Sequence, residues 1–446
     1  MNKWLIKNAR LINEGSIQDC DVLVKGDRIE KVAADISAAQ GVDVIDAGGC
    51  YLMPGMIDDQ VHFREPGLTH KGDLATESAA AVAGGITSFM DMPNVNPLTV
   101  DAAALAKKYQ AAKGRCTANF GFYLGATNTN IEDIKKLEVG NACGIKVFMG
   151  ASTGDMLVDD ADTLDKIFQY APVMVVTHCE DSPTIWANED KAREKYGEDV
   201  PMSVHPAIRS VEACFKSSSM AIELARKHDA LLHVLHLTTA KEMQLFSDAP
   251  RMEKRITAEV CVHHLWFDES KYEQLGTHIK CNPAIKSAAD RKALLQALNE
   301  GRIDIIATDH APHTLEEKAN SYFKAPAGLP LVQYTVPALF DLVAQGHISH
   351  TLLVERACHA PADLFGVGER GYVREGYYAD LVIVDPEQAM TVRRQDVFSK
   401  CGWSPFEGHQ FTSSIHTTLV NGQVVYRDGK LTNVIAGERL SFARAR

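Results

Sequence analysis

Apolar and polar positions alternate along the middle of the chain on a coarse scale. Eight short apolar runs, at 55–62, 86–92, 118–124, 144–149, 173–178, 231–237, 256–262 and 303–308, are separated by longer segments in which apolar residues recur with helical spacing. A short, almost unbroken apolar run fits a strand buried on both faces, as in a parallel sheet. Segments 73–83, 211–228 and 288–299 fit amphipathic helices. Strand and helix in alternation predict an α/β fold, and eight repeats predict closure into a (β/α)8 TIM-type barrel. A doubly wound sheet would carry a glycine-rich phosphate loop after its first strand, and none is present.

The ends of the chain have a different texture. Residues 1–50, and residues from about 371 onward, alternate as short strands punctuated by turns such as Asn13-Glu14-Gly15, Lys25-Gly26-Asp27 and Asn421-Gly422. Neither end is long enough to bury a core alone. The expectation is one small β-sandwich formed by both, so that 1–50 and 371–446 make a composite unit beside a barrel of residues 51–370. The polar stretch 181–209, which carries Pro201 and Pro206, is expected to be a long loop over the barrel rim.

Composition narrows the class. The chain has 446 residues, 46% hydrophobic and 23% charged, which fits a soluble globular protein with an ample core. A formal net charge of -12 argues against a broad basic surface and hence against nucleic acid as a partner. The first residues lack the apolar core of a signal peptide, and no apolar run reaches membrane-spanning length, so no membrane partner is expected. Ten scattered cysteines without a C-x-x-C pair fit reduced thiols and a cytoplasmic location.

The polar residues that interrupt this pattern sit at the ends of the apolar runs. His62 ends the first, Asn94 follows the second, Lys146 lies within the fourth, His178 ends the fifth, His236 closes the sixth and Asp309 follows the eighth. A barrel gathers strand C-termini on one rim, where such barrels do chemistry. Neutral imidazole is a common zinc donor. A lysine inside an apolar run is costly as a cation and tends toward the neutral amine, which can add carbon dioxide to give a carbamate. Side chains two apart on a strand share a face, so Gln60, His62 and Arg64 are expected to point the same way, and the Arg64 fork suits a carboxylate. His233, an odd number of residues from His236, is expected on the opposite side as a structural residue.

Several of these residues stand in longer motifs. The first run continues as Asp58-Asp59-Gln60-Val61-His62-Phe63-Arg64-Glu65-Pro66-Gly67. Further along come Ala83-Gly84-Gly85-Ile86-Thr87, Gly144-Ile145-Lys146-Val147-Phe148-Met149, Thr177-His178-Cys179-Glu180 and His233-Val234-Leu235-His236. Later still are Ala307-Thr308-Asp309-His310-Ala311-Pro312-His313 and Trp403-Ser404-Pro405-Phe406-Glu407-Gly408. Together, in this order, they resemble the dihydroorotases of the amidohydrolase superfamily, and the resemblance spans nearly the whole chain.

The resemblance implies His62, Lys146, His178, His236 and Asp309 as metal ligands, with Lys146 carboxylated and one or two zinc ions per chain. It implies Asp309 as the catalytic proton shuttle, and Arg64, Asn94, Asn282 and His313 as substrate-binding residues, with His263 and His264 in support. The expected partner is a small molecule carrying a carboxylate, and a homo-oligomer is compatible with it. One departure stands out: the family's His-x-His reads Gln60-Val61-His62 here. A neutral amide is a poor zinc ligand beside imidazole, so Gln60 either coordinates weakly or hydrogen-bonds near the site. The implied reaction is reversible hydrolysis of L-dihydroorotate. Two alternatives are a hydantoinase-like or allantoinase-like enzyme, and a degenerate homologue serving as an assembly partner; retention of Lys146, His178, His236 and Asp309 weighs against the latter.

Overall fold

The computed structural model describes residues 3–150 and 156–446. Its centre is a parallel barrel of the expected order. The strands are Met56–Val61, Ile86–Asp91, Asn119–Phe122 continuing as Leu124–Gly125, Ile145–Phe148, Val175–His178, Leu232–Val234, Ile256–Cys261 and Ile305–Ala307. Neighbours pair in parallel register around the ring. The ring closes through a parallel bridge between Val61 and His310, where the His62 N–H donates to the His310 carbonyl at 2.7 Å. The third strand is interrupted at Tyr123, whose hydroxyl reaches inward to donate to the Asp59 carbonyl.

Helices form where capping and a buried stripe coincide. Leu74–Ala83 starts at Asp73, which closes a reciprocal capping box with Thr76. Val211–His228 starts at Ser210 and buries Ala213, Cys214, Ser217, Ala221, Ile222 and Ala225, a stripe at three- and four-residue spacing, with Arg226, Lys227 and His228 in its last turn. The stretch 181–209 is not a loop. Asp181 caps a helix over Ser182–Tyr196 with Pro183 in its first turn, and short helical turns follow at Met202–Val204 and His205–Ile208. Its polarity misled because only Ser182, Ile185 and Ala192 of that helix are buried, too few for a visible apolar period, while proline is well tolerated at a helix start.

The two chain ends meet in one nine-stranded sheet. Lys3–Asn13 pairs antiparallel with Ser16–Lys25 and parallel with Asp43–Asp46 and Tyr51–Pro54, and Tyr51–Pro54 pairs with Leu381–Asp385 from the far end. Alternation along Leu381–Asp385 shows how the sheet makes a sandwich. Leu381 and Ile383 enter an apolar core with Ile6, Val22, Val24 and Leu52. Val382 and Val384 point the other way, into the layer between barrel strands and helices. No helix among the described residues is long and apolar enough to cross a membrane.

Candidate active site

The C-terminal ends of the barrel strands open into a cavity of about 390 Å³. Gln60, His62, Arg64, Asn94, Lys146, His178, His236, Asn282, Asp309 and His313 all line it; residues up to 253 positions apart in sequence thus meet in one pocket, as strand-end placement requires (His313 and Gln60).

Backbone conformation does much of the aiming. His236 has φ +39°, Asp309 φ +50° and Arg64 φ +70°, a left-handed region that costs non-glycine residues about 1–3 kcal/mol each. The pleat alone would not bring His236 inward. Ladder register puts Lys146 level with Val176, and Val176 level with His233, so His233 shares the inward face of Lys146 and His178. His233 is therefore an interior residue, and His236 reaches the cavity because its backbone reverses just past Leu232–Val234. The Glu259 carboxylate caps the freed His236 N–H at 2.9 Å. Alternation also fails on the first strand. A register shift between Asp58 and Val61 lets Gln60 reach the cavity while Asp59, its neighbour, lies close to His233. Arg64 lies beyond the strand altogether. Its loop can close because Gly67, at φ +82°, has no Cβ; one built there would stand 1.9 Å from the Asn96 carbonyl.

Asp309 is the hub of one side. Gln60 Nε2 donates to Asp309 Oδ1 at 3.1 Å, and His62 Nε2 lies 3.1 Å from the same oxygen. The Gln60 amide must present nitrogen here, since Oε1 would repel the carboxylate; Oε1 instead faces the Cys261 thiol at 3.7 Å. His62 Nδ1 bonds Asn94 Oδ1 at 2.8 Å, which turns Nε2 toward Asp309. Burial would raise the Asp309 carboxyl, but the bond to His62 and the charges of His62, His263 and Lys146 hold it below its ordinary value.

Across the cavity, His178 Nε2 donates to Glu180 Oε2 at 2.9 Å; a carboxylate can only accept, so His178 Nδ1 is left as a lone pair in the neutral ring. That lone pair faces His236 Nε2 at 3.0 Å, and His236 Nδ1 has no partner. Burial lowers the pKa of both rings, helped by Lys146 and, for His236, by His178. Lys146 Nζ is wholly buried without a hydrogen-bond partner, and burial brings its pKa down to about 8. A neutral imidazole whose lone pair faces a second imidazole, beside an unpartnered amine, fits a donor set for a cation.

The remaining wall is basic. Arg64, Arg209, Lys280 and Lys324 line the cavity with Lys146, against Asp309 and Glu189 as the only carboxylates among the described residues, a local reversal of the chain's negative charge. Arg64 is 7% exposed, donates Nε–H to the Pro312 carbonyl and lies 2.9 Å from His313, and pairs with no carboxylate among the described residues. The Asn282 Oδ1 is a buried acceptor without a partner. Glu180, tied to His178 and ion-paired with Arg209, stands in the motif Thr177-His178-Cys179-Glu180 but was given no role from the sequence, although a carboxylate two residues past His178 was a usable signal. Lys318, whose ammonium donates to the carbonyls of Lys280, Pro326 and Gly328 and so fixes the loop forming one wall, gave no sequence signal.

Residues 51–425 match the family described as the Amidohydrolase family, and the chain belongs to it. Within that family its relatives include the dihydroorotase of Halobacterium salinarum, 34% identical over 443 residues and covering 98% of this chain and 99% of the relative. The dihydroorotase of Bacillus cytotoxicus is 34% identical over 441 residues, covering 95% and 98%. Among solved structures, an L-hydantoinase (dihydropyrimidinase) from Arthrobacter aurescens superposes with a TM-score of 0.93 at 29% identity, covering 99% of this chain and 100% of that one.

Proposed function

We propose that the protein is a metal-dependent dihydroorotase, catalysing reversible hydrolysis of L-dihydroorotate to N-carbamoyl-L-aspartate in pyrimidine biosynthesis. The observation that carries this reading is Arg64, a buried guanidinium at the cavity wall with no carboxylate partner among the described residues. A carboxylated ring would complete it, whereas an uncharged hydantoin would leave it unpaired. Full-length similarity to dihydroorotases points the same way. The 1–50 and 371–446 segments, joined in their sheet by Tyr51–Pro54, form the composite unit that buttresses the barrel in this reading, and free cysteines throughout support a cytoplasmic setting.

His62, Lys146, His178, His236 and Asp309 are the residues that would hold zinc, one or two ions per chain. Lys146 suits carboxylation, since its depressed pKa favours the neutral amine that adds carbon dioxide with release of a proton. When bound, the metal would supply Lewis acidity that polarises the amide carbonyl and makes water a ready nucleophile near neutral pH. Arg64, Asn282 and His313, with the free end of the Asn94 amide, orient the substrate by its carboxylate and ring amides. Asp309 accepts the proton of the attacking water and returns it to the ring nitrogen as the C–N bond breaks, so that this nitrogen departs as the neutral NH2 of the product's carbamoyl group. Gln60 and His62 hold Asp309 Oδ1 and keep the carboxylate ionised for the first of these transfers.

A hydantoinase-like activity is the second reading, favoured by the close superposition on hydantoinases. Side-by-side hydrolysis of L-dihydroorotate, hydantoin and dihydrouracil separates the two. The expected outcome is strong preference for dihydroorotate, reduced about 10–100-fold in kcat/KM by Arg64→Met, which is the value of a charge-assisted hydrogen bond of about 1.5–3 kcal/mol. Equal or better turnover of the uncharged rings by the wild type would overturn the dihydroorotase assignment.

A further inference from the structure

Three interior side chains take no part in this chemistry: Asp59, His233 and Glu259, from the first, sixth and seventh strands. All are wholly buried. His233 Nε2 stands 3.3 Å from Asp59 Oδ2 and 3.6 Å from Glu259 Oε2. Neither Asp59 oxygen, nor Glu259 Oε2, nor His233 Nε2 has a hydrogen-bond partner.

The other ring nitrogen settles what Nε2 can be. The Thr257 hydroxyl donates to the Leu232 carbonyl at 3.2 Å, so at 2.7 Å from His233 Nδ1 it is the acceptor, and Nδ1 carries the proton. In the neutral ring Nε2 then turns a lone pair on two carboxylates, three acceptors with nothing positive between them. Burial opposes charge on the ring, yet Asp59 and Glu259 outweigh it and raise its pKa to about 9. The space calls for a cation.

A proton on Nε2 answers that only in part. It serves one acceptor, and neither carboxylate is drawn in to the roughly 2.7–2.9 Å of a charge-assisted bond. The spacing matches the ligands of one ion instead. A tetrahedral edge is about 1.63 times the bond length, so ligands at about 2.0–2.2 Å stand about 3.3–3.6 Å apart. The Nδ1–H bond to threonine is the outer contact that ligating imidazoles make as a rule. A divalent ion balances both carboxylates in their ionised form, whereas without one burial and the Asp59 charge push the Glu259 carboxyl up to about 8.

We infer that Asp59, His233 and Glu259 form a further divalent-cation site, of zinc type, beneath the cavity and separate from the ligands assigned there. It is structural, since protein closes it on all sides. Glu259 Oε1 holds the His236 N–H, so an ion on Oε2 fixes the carboxylate that keeps His236 in its left-handed conformation. Wholly buried, the ion is taken up as the chain folds. The inference does not depend on which cyclic amide is the substrate.

The test uses the full chain produced with zinc as the only added metal. Anomalous diffraction at the zinc edge is expected to place a peak about 2.0–2.2 Å from His233 Nε2 and from oxygens of Asp59 and Glu259. Elemental analysis is expected to find one zinc equivalent that survives His178→Ala but is lost in Asp59→Asn. No peak there in the wild type, with Nε2 drawn to hydrogen-bond distance of one carboxylate, would mean a proton fills the place and overturn the inference. The wild-type map decides even where Asp59→Asn fails to fold.

Discussion

The end-formed sheet and the barrel rim both use left-handed backbone, but for opposite ends. In the sheet it falls mainly at turns such as Asn421-Gly422 and Asp428-Gly429, hairpin turns whose residues are made for it, and within a strand at Asn8, where the register shifts. At the rim it falls on His236, Asp309 and Arg64, which gain nothing locally from it. Their neighbours are polar atoms without partners, such as Lys146 Nζ and Asn282 Oδ1. The sheet satisfies its residues where it places them. The rim holds its residues in unfavourable states that only a rigid surround, and a ligand, can justify.

The largest effect that separates the regions is expected from Asp309→Asn. Loss of the proton shuttle should lower kcat for dihydroorotate by about 10²–10⁴-fold, while the variant still folds, losing only the stability that the His62 contact gives a carboxylate held below its ordinary pKa. Near-normal turnover would remove Asp309 from the proton transfer.

Next comes the converse change in the sheet. Ile383 is wholly buried in the sandwich core, and Ile383→Ala should cost about 2–5 kcal/mol through lost burial and a cavity. Denaturant titration reads the loss, and turnover per folded molecule at low temperature should be unchanged. A fall in kcat equal to that of a rim variant would show that the two regions are not separable.

That contrast also explains what could be read from the sequence. The barrel was legible because eight buried parallel strands leave eight apolar runs, and the hairpins because Asn-Gly and Asp-Gly are turn formers. His62, His178 and Asp309 were legible as polar breaks at run ends, and Lys146 as one within a run. Counting by twos failed where the chain departs from the pleat: at His236, reversed by its φ, at His233, which faces inward, and at Asp59, which lies beside His233 next to a register shift. The Ser182–Tyr196 helix was hidden because it buries too little to show a period. Such departures gather at the rim, where local rules are overridden by tertiary context.

The smallest expected effect lies on an element that touches both regions. The helix Leu74–Ala83 carries Glu77, which bonds His310 next to Asp309, and it packs its start on Asp73, whose carboxylate accepts from the Ala75 and Thr76 N–H groups. Asp73→Ala should cost about 1 kcal/mol of stability at pH 7, with turnover intact, since the cap supports the frame and not the chemistry. Partial burial raises the Asp73 carboxyl, but the Thr76 N–H bond and the Lys400 ammonium, 3.1 Å away, bring it below its ordinary value. A depressed folded pKa means the contribution is full above the unfolded pKa of about 3.9 and disappears as pH falls through the folded value. Urea midpoints of wild type and variant should therefore differ at pH 7 and converge in acid once the pH is below the folded pKa. A gap that persists there would assign the stabilisation to side-chain packing, and the carboxylate would lose its role as the cap.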